Sequence, residues 1–127
     1  MKKKVNRSKL IKKLDFVFSQ YIRVKDSNKK GRGTCVTCGK KEHWKNLQAG
    51  HFISRKHYST RWDEDIVKIQ CVSCNVFRYG EQYLFSKYLG YKLSEDLLSK
   101  SRNIVKFTNI ELEEMISQYS NKLKVYL

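Results

Sequence analysis

The sequence predicts an α+β domain: two short strands and a helix tied together by cysteines, with longer helices packed around them. Three observations carry this. Two Cys-x-x-Cys pairs, Cys35/Cys38 and Cys71/Cys74, hold every cysteine of the chain. Short apolar runs at residues 47–53 and 66–69 read as strands, the second leading directly into the second pair. Apolar residues at three- and four-residue steps before and after this central region read as amphipathic helices.

In order, residues 1–9 are a basic lead-in. Residues 10–26 form a first helix, with Leu10, Ile11, Leu14, Val17, Phe18, Tyr21 and Ile22 on one face. The stretch Ser27-Asn28-Lys29-Lys30-Gly31-Arg32-Gly33 has the composition of a loop. The first cysteine pair closes on Gly39. Residues 54–65 are polar and irregular, and from Asn75 the pattern turns helical. There Phe77, Tyr83, Leu84, Tyr88 and Leu89 line the expected buried face, Gly80 marks a kink, and Gly90 is the C-cap. Ser94 is read as the cap of a short helix carrying Leu97 and Leu98. Thr108-Asn109-Ile110-Glu111 has the form of a capping box opening a last helix. Residues 35–90 thus form a ββα core, and 94–127 are C-terminal helices. All 127 residues make one domain, small enough that a structural metal would help its modest core.

Lys and Arg number 27 against 12 Asp and Glu, a formal charge of +15. Four thiolates on one zinc would leave about +13. Such an excess points to a polyanionic partner, because neutralising phosphates releases counterions. Met1-Lys2-Lys3-Lys4 is not followed by an apolar h-region, and no window nears the ~18 apolar residues of a membrane span. The expectation is a cytoplasmic, reducing setting with no membrane partner, where zinc thiolates are favoured over disulfides.

Two Cys-x-x-Cys turns supply the four sulfurs of a closed tetrahedral zinc site, so Cys35, Cys38, Cys71 and Cys74 are assigned to a structural Zn2+. The site would bring a histidine and an asparagine, His51 and Asn75, onto one scaffold and make the core a ββα-metal finger. His51 is the candidate general base, with a backbone carbonyl to fix its tautomer; the plain alternative is a structural histidine. Asn75 is the candidate ligand for a catalytic Mg2+ or Mn2+ that would stabilise the leaving 3′ oxygen; its alternative role is a helix N-cap. Arg78, one turn on, is placed to brace a phosphate oxygen, and His57 is a second candidate metal ligand. Arg55, Lys56, Arg61, Lys40, Lys41 and Lys45 are the expected DNA-backbone contacts, interleaved with Trp44, Trp62, Phe52 and Tyr58. Those aromatics suit either base stacking or the wall of a small core, the latter favoured for Trp62 and Phe52. His43 has no comparable context and is read as surface.

The runs Gln48-Ala49-Gly50-His51-Phe52-Ile53-Ser54-Arg55, Thr60-Arg61-Trp62-Asp63-Glu64, Gln70-Cys71 through Cys74-Asn75 and Gly80-Glu81-Gln82-Tyr83-Leu84-Phe85-Ser86 resemble the phage NinG (Rap) recombination proteins. More distantly, the arrangement resembles the HNH (His-Me finger) nucleases. The resemblance implies a phage- or prophage-encoded, structure-selective endonuclease of the bacterial host cytoplasm. Its substrates would be branched recombination intermediates, D-loops and Holliday junctions. Symmetric cutting of a junction implies two active sites, hence a homodimer, for which the helix from Thr108 offers an apolar face. The rival readings are a non-catalytic zinc-ribbon DNA-binding protein and a general nuclease without branch preference. The chain departs from HNH nucleases at Gly50, where many carry a carboxylate, at Ile66, where an asparagine is expected, and at Asn75 in place of histidine. Asp63 or Asp65 is then expected to orient the loop.

Overall fold

The computed structural model describes residues 6–127. The basic lead-in lies partly outside them. Within them the first helix starts earlier than the apolar pattern suggests: α1 spans Arg7–Lys25, because the Asn6 side chain accepts from the Ser8 and Lys9 N–H groups. Residues 7–9 are therefore helix. Leu14, Phe18 and Ile22, at four-residue steps, form its fully buried line. Arg23 and Lys25 at its end complement the helix dipole.

The segment read as a loop closes into a hairpin, β1 (Arg32–Thr34) with β2 (Lys41–His43), antiparallel. The first cysteine pair forms its tip. Cys35 N–H donates to Lys40 C=O at 2.8 Å and Gly39 N–H to Cys35 C=O at 2.9 Å, with Gly39 at φ +81°. Strands of three residues are too short to leave a periodic signal, which is why composition alone suggested a loop. A 3-10 turn at Trp44–Asn46 leads into β3 (Leu47–His51), which pairs antiparallel with β4 (Val67–Cys71). The register sets Leu47 opposite Cys71 and His51 opposite Val67. The loop between them carries a single helical turn, α2 (Tyr58–Arg61). Asp63 does shape this loop, its carboxylate accepting from Asp65 N–H at 2.9 Å.

The helix expected from Asn75 is not continuous. A π-helical turn, Ser73–Phe77, ends in three successive positive φ values at Tyr79, Gly80 and Glu81. Only then does α3 (Gln82–Leu89) begin. The break resets the helix phase, so of the expected inner face only Leu89 packs against the core: Phe77, Tyr83, Leu84 and Tyr88 are exposed, while Phe85 is fully buried against Phe52. Gly90, at φ +93°, separates α3 from α4 (Tyr91–Ser101). Ser94 is not a cap. It sits buried inside α4, its hydroxyl donating to the Ser86 carbonyl near the end of α3. The capping box at Thr108 and Glu111 is formed and opens α5 (Asn109–Lys124).

Two clusters make the core. The larger joins α1, α5, the β3–β4 loop and Phe85; Phe18 meets Tyr119 edge-on at 4.9 Å. The apolar face of α5 is thus covered by α1, and the dimer surface expected there is already in use. The smaller cluster, Cys35, Leu47, Ile69, Cys71 and Cys74, surrounds the cysteine sulfurs. Gln70, with no exposed surface, bridges the cysteine hairpin and the turn before α3: its amide donates to Thr37 Oγ1 at 3.2 Å and to the Gly80 carbonyl at 2.9 Å.

That amide explains Gly50. A Cβ there would overlap Gln70, lying 2.6 Å from its Cδ and 2.8 Å from its Cγ. Any side chain at this position, a carboxylate included, would have to displace a buried hydrogen-bonded group. Gly50→Ala should therefore lower unfolding free energy by about 1–3 kcal/mol in urea melts, and part of the loss should return when Gln70→Ala is added.

Candidate functional site

The hairpin tip and the end of β4 bring the four sulfurs within 4.8 Å of one another, Cys38 and Cys71 at 3.6 Å, and no disulfide joins them. Tetrahedral zinc with ~2.3 Å bonds holds sulfurs about 3.8 Å apart, so the cluster fits that ion. Burial pushes the Cys74 thiol up to about 12, so the cluster opposes full ionisation unless a cation is present. Four thiolates would fill the shell of a zinc ion held here, leaving it a structural role with no position for chemistry.

A second centre lies beyond the staple, in an open cleft of about 650 Å³ between α1, β3 and the turn before α3. Both His51 and Asn75 line it. His51 stands at the end of β3, where its Nε2 lies 3.1 Å from the Arg61 carbonyl. A carbonyl can only accept, so Nε2 carries the proton and Nδ1 keeps its lone pair. Burial, the largest influence, drives the imidazole pKa down to about 4 against the opposing pull of that carbonyl; the Arg55 cation lowers it further. The ring is therefore neutral near pH 7, as a general base must be.

Asn75 is set by the π-helical turn and by Gln48, whose Oε1 accepts from Asn75 Nδ2 at 2.7 Å. This assignment commits the amide nitrogen and leaves the oxygen free as a ligand. Gln48 and His51 both belong to β3, and Gln48, His51 and Asn75 all line this cleft.

Residues not singled out in the sequence hold the histidine in place. Asp15, the lone acid of α1, accepts from Arg61 Nε at 3.1 Å, Arg61 Nη2 at 2.6 Å and Trp62 Nε1 at 2.9 Å. Arg61 Nη1 also donates to the Arg55 carbonyl at 2.7 Å. This braces the backbone whose carbonyl orients His51. A single carboxylate inside a Lys-rich helix, next to its buried line, was the available signal. Among the described residues Asp15 is the one carboxylate lining the cleft, and its oxygens are taken.

The remaining expected site residues separate. Arg55 and Lys45 are exposed and line the cleft. Arg23 joins them, half-buried, donating to the carbonyls of Ser19, Trp44 and Leu47 with no acid within ion-pair distance among the described residues. Lys56 is exposed and does not line the cleft, while Lys40 and Lys41 sit on the cysteine hairpin, Lys40 paired with Glu42 at 3.2 Å. Arg61 is tied to Asp15, its side chain 14% exposed, so its charge serves the brace. Arg78 is exposed but outside the cleft lining: its N–H closes the i→i+5 bond to Ser73, and that wider turn takes it off the Asn75 face. His57 precedes α2 and does not line the cleft either. Trp62 and Phe52 are core, and Trp44 and Tyr58 are half-buried against neighbours.

A second cleft of similar size holds Asp63, Glu64 and Asp65, but Lys100 pairs with Asp63 and Lys25 and Lys122 with Glu64. It contains no histidine.

Two measurements test this geometry. One zinc per chain should be found by elemental analysis, and chelation or Cys74→Ser should lower unfolding stability by several kcal/mol, because a metal bound only by the folded state adds its binding energy to folding. His51 sets a pH slope. Above about pH 6.5 the ring is neutral in both folded and unfolded chains and contributes nothing. As pH falls toward 4 the unfolded chain is protonated first, so stability should drop by up to about 3 kcal/mol. His51→Gln should flatten that slope in urea melts between about pH 4 and 7.

No helix among the described residues is long and apolar enough to cross a membrane. Comparison with curated proteins and with solved structures gives no match. The family model described as bacteriophage lambda NinG protein matches residues 1–126. With nearly the whole chain inside that match, the protein belongs to the bacteriophage lambda NinG family.

Proposed function

We propose that this member of a phage recombination family is a metal-dependent endodeoxyribonuclease that cuts branched DNA. The observation carrying the reading is one cleft that contains a neutral, tautomer-fixed histidine, a free amide oxygen and three cations, of which Arg55 lies 3.8 Å from Asp15 while Arg23 and Lys45 have no acid within ion-pair distance among the described residues. A phosphodiester entering it would meet Arg23, Lys45 and Arg55, which attract the anion and offset charge on its oxygens.

In this reading a water on the His51 side attacks phosphorus and gives its proton to Nδ1. The bond from phosphorus to the 3′ oxygen breaks, and that oxygen takes a proton from solvent. The products are a 5′-phosphate and a 3′-hydroxyl. A hard cation such as Mg2+ or Mn2+, held through Asn75 and its own waters, would supply charge stabilisation for the leaving oxygen. Asp15 cannot easily serve as a further ligand without releasing Arg61 and Trp62. A zinc held by Cys35, Cys38, Cys71 and Cys74 would contribute no chemistry and would secure the turn from which Asn75 projects. The basic surface recognises backbone, so selectivity would follow branch geometry more than base sequence.

Cleavage of Holliday-junction, D-loop, linear duplex and single-stranded substrates at matched salt, with Mg2+ or Mn2+, tests the proposal. The full chain should cut branched substrates in preference to linear duplex, and His51→Ala should cut at least 100-fold more slowly, on the order of what a lost general base costs, while still binding junctions. An intact protein that binds junctions yet cuts none of these substrates in either ion would instead be a DNA-binding protein stapled by zinc.

A further inference from the structure

We propose that the turn at residues 79–81 presents the Tyr79 ring as a stacking platform for an unpaired base at a DNA branch, beside the cleft that takes the phosphodiester. The inference deepens the nuclease reading, on which it rests for the identity of the substrate. Tyr79, Gly80 and Glu81 have φ values of +55°, +88° and +47°. Two non-glycine residues in the left-handed region are costly, and such strain persists only where the surroundings enforce it. They do so here. Gly80 N–H donates to the Cys74 carbonyl at 2.8 Å, the Gln70 amide grips the Gly80 carbonyl at 2.9 Å, and Glu81 N–H donates to the Arg78 carbonyl at 3.1 Å. The turn is thereby anchored to a cysteine of the metal cluster and to a fully buried side chain.

The strain gains the chain nothing internal at Tyr79, whose ring is 89% exposed. It does place the residue in the lining of the cleft that holds His51 and Asn75. Phe77 and Tyr83, 74% and 70% exposed, stand on either side in sequence, with Lys87 Nζ 4.9 Å over the Tyr83 ring and Arg78 exposed between. An exposed aromatic ring in the lining of a cationic cleft fits a nucleobase whose own phosphate occupies that cleft. A base inside a duplex has no free face to offer, so the platform would favour nucleotides left unpaired at a branch. The aromatics first read as base-stacking sit elsewhere, half-buried or in the core.

The test uses the full chain carrying His51→Ala, so binding is read without cleavage. The probes are a branched duplex with a fluorescent adenine analogue at its unpaired branch nucleotide and the same sequence fully paired. The expected result is quenching of the analogue on binding and tighter binding of the branched form. Adding Tyr79→Gly, which relieves the backbone strain and so should leave the melting temperature equal or higher, should abolish quenching. It should also weaken the branched complex on the order of tenfold more than the paired one. Tyr79→Trp should retain both. Equal weakening on the two probes, or no effect of Tyr79→Gly as expected of a ring that docks a protein, would overturn the inference. If Tyr79 governs branch binding while the chain with His51 intact cuts nothing, the platform stands and the nuclease reading fails; cleavage with no role for Tyr79 gives the converse.

Discussion

The four sulfurs drawn within 4.8 Å of one another hold the rest of the molecule in register. They join the tip of the β1–β2 hairpin to the last residue of β4 and the π-helical turn that follows. Strand pairs this short are marginal without a further tie, and only a small apolar cluster surrounds the sulfurs. An ion that neutralises four thiolates supplies what that cluster cannot. From there constraint passes outward by contact. Asn75 follows the last cysteine and reaches Gln48 on β3, while Gln70 spans from Thr37 in the hairpin tip to Gly80 at the cleft edge.

A second constraint acts from the opposite side. The α1–α5 pair, with Phe18 against Tyr119, fixes α1 across the loop between β3 and β4, and Asp15 reaches from it to Arg61 and Trp62. The carbonyl that orients His51 is therefore held by a helix distant in sequence. The cleft lies where the two constraints meet. One wall is set by the cysteines and the other by the helices, and His51 and Asn75 both line the cleft between them. The net charge of +15 and the cations along the cleft supply the field that a phosphate-bearing partner would feel.

Within this frame Gly50 has a structural reason. The residue before the histidine faces the Gln70 amide, so the space a carboxylate would need is filled by a group that secures the turn before α3. The same turn sets the phase of α3. Tyr83, Leu84 and Tyr88 fall on an apolar stripe in the sequence, yet the stripe counts from a helix start that the chain does not use. With α3 opening at Gln82, Phe85 becomes the buried residue and the other aromatics face solvent.

The sequence by itself determined whatever is local or periodic. The cysteine pairs, the α1 stripe, the two central strands and the capping box at Thr108 each depend on residues a few positions apart, and each is where the pattern put it. Grouping His51 and Asn75 as site candidates was also legible, since both flank features set by those short spacings. Tertiary structure decided the rest. The hairpin exists because its tip is pinned by a distant cysteine pair, Arg61 turns inward because Asp15 waits on α1, and Arg78 leaves the cleft because a π-helical turn replaces an α-helical one. Each outcome is fixed by contacts between residues remote in the chain, to which spacing along the sequence is blind.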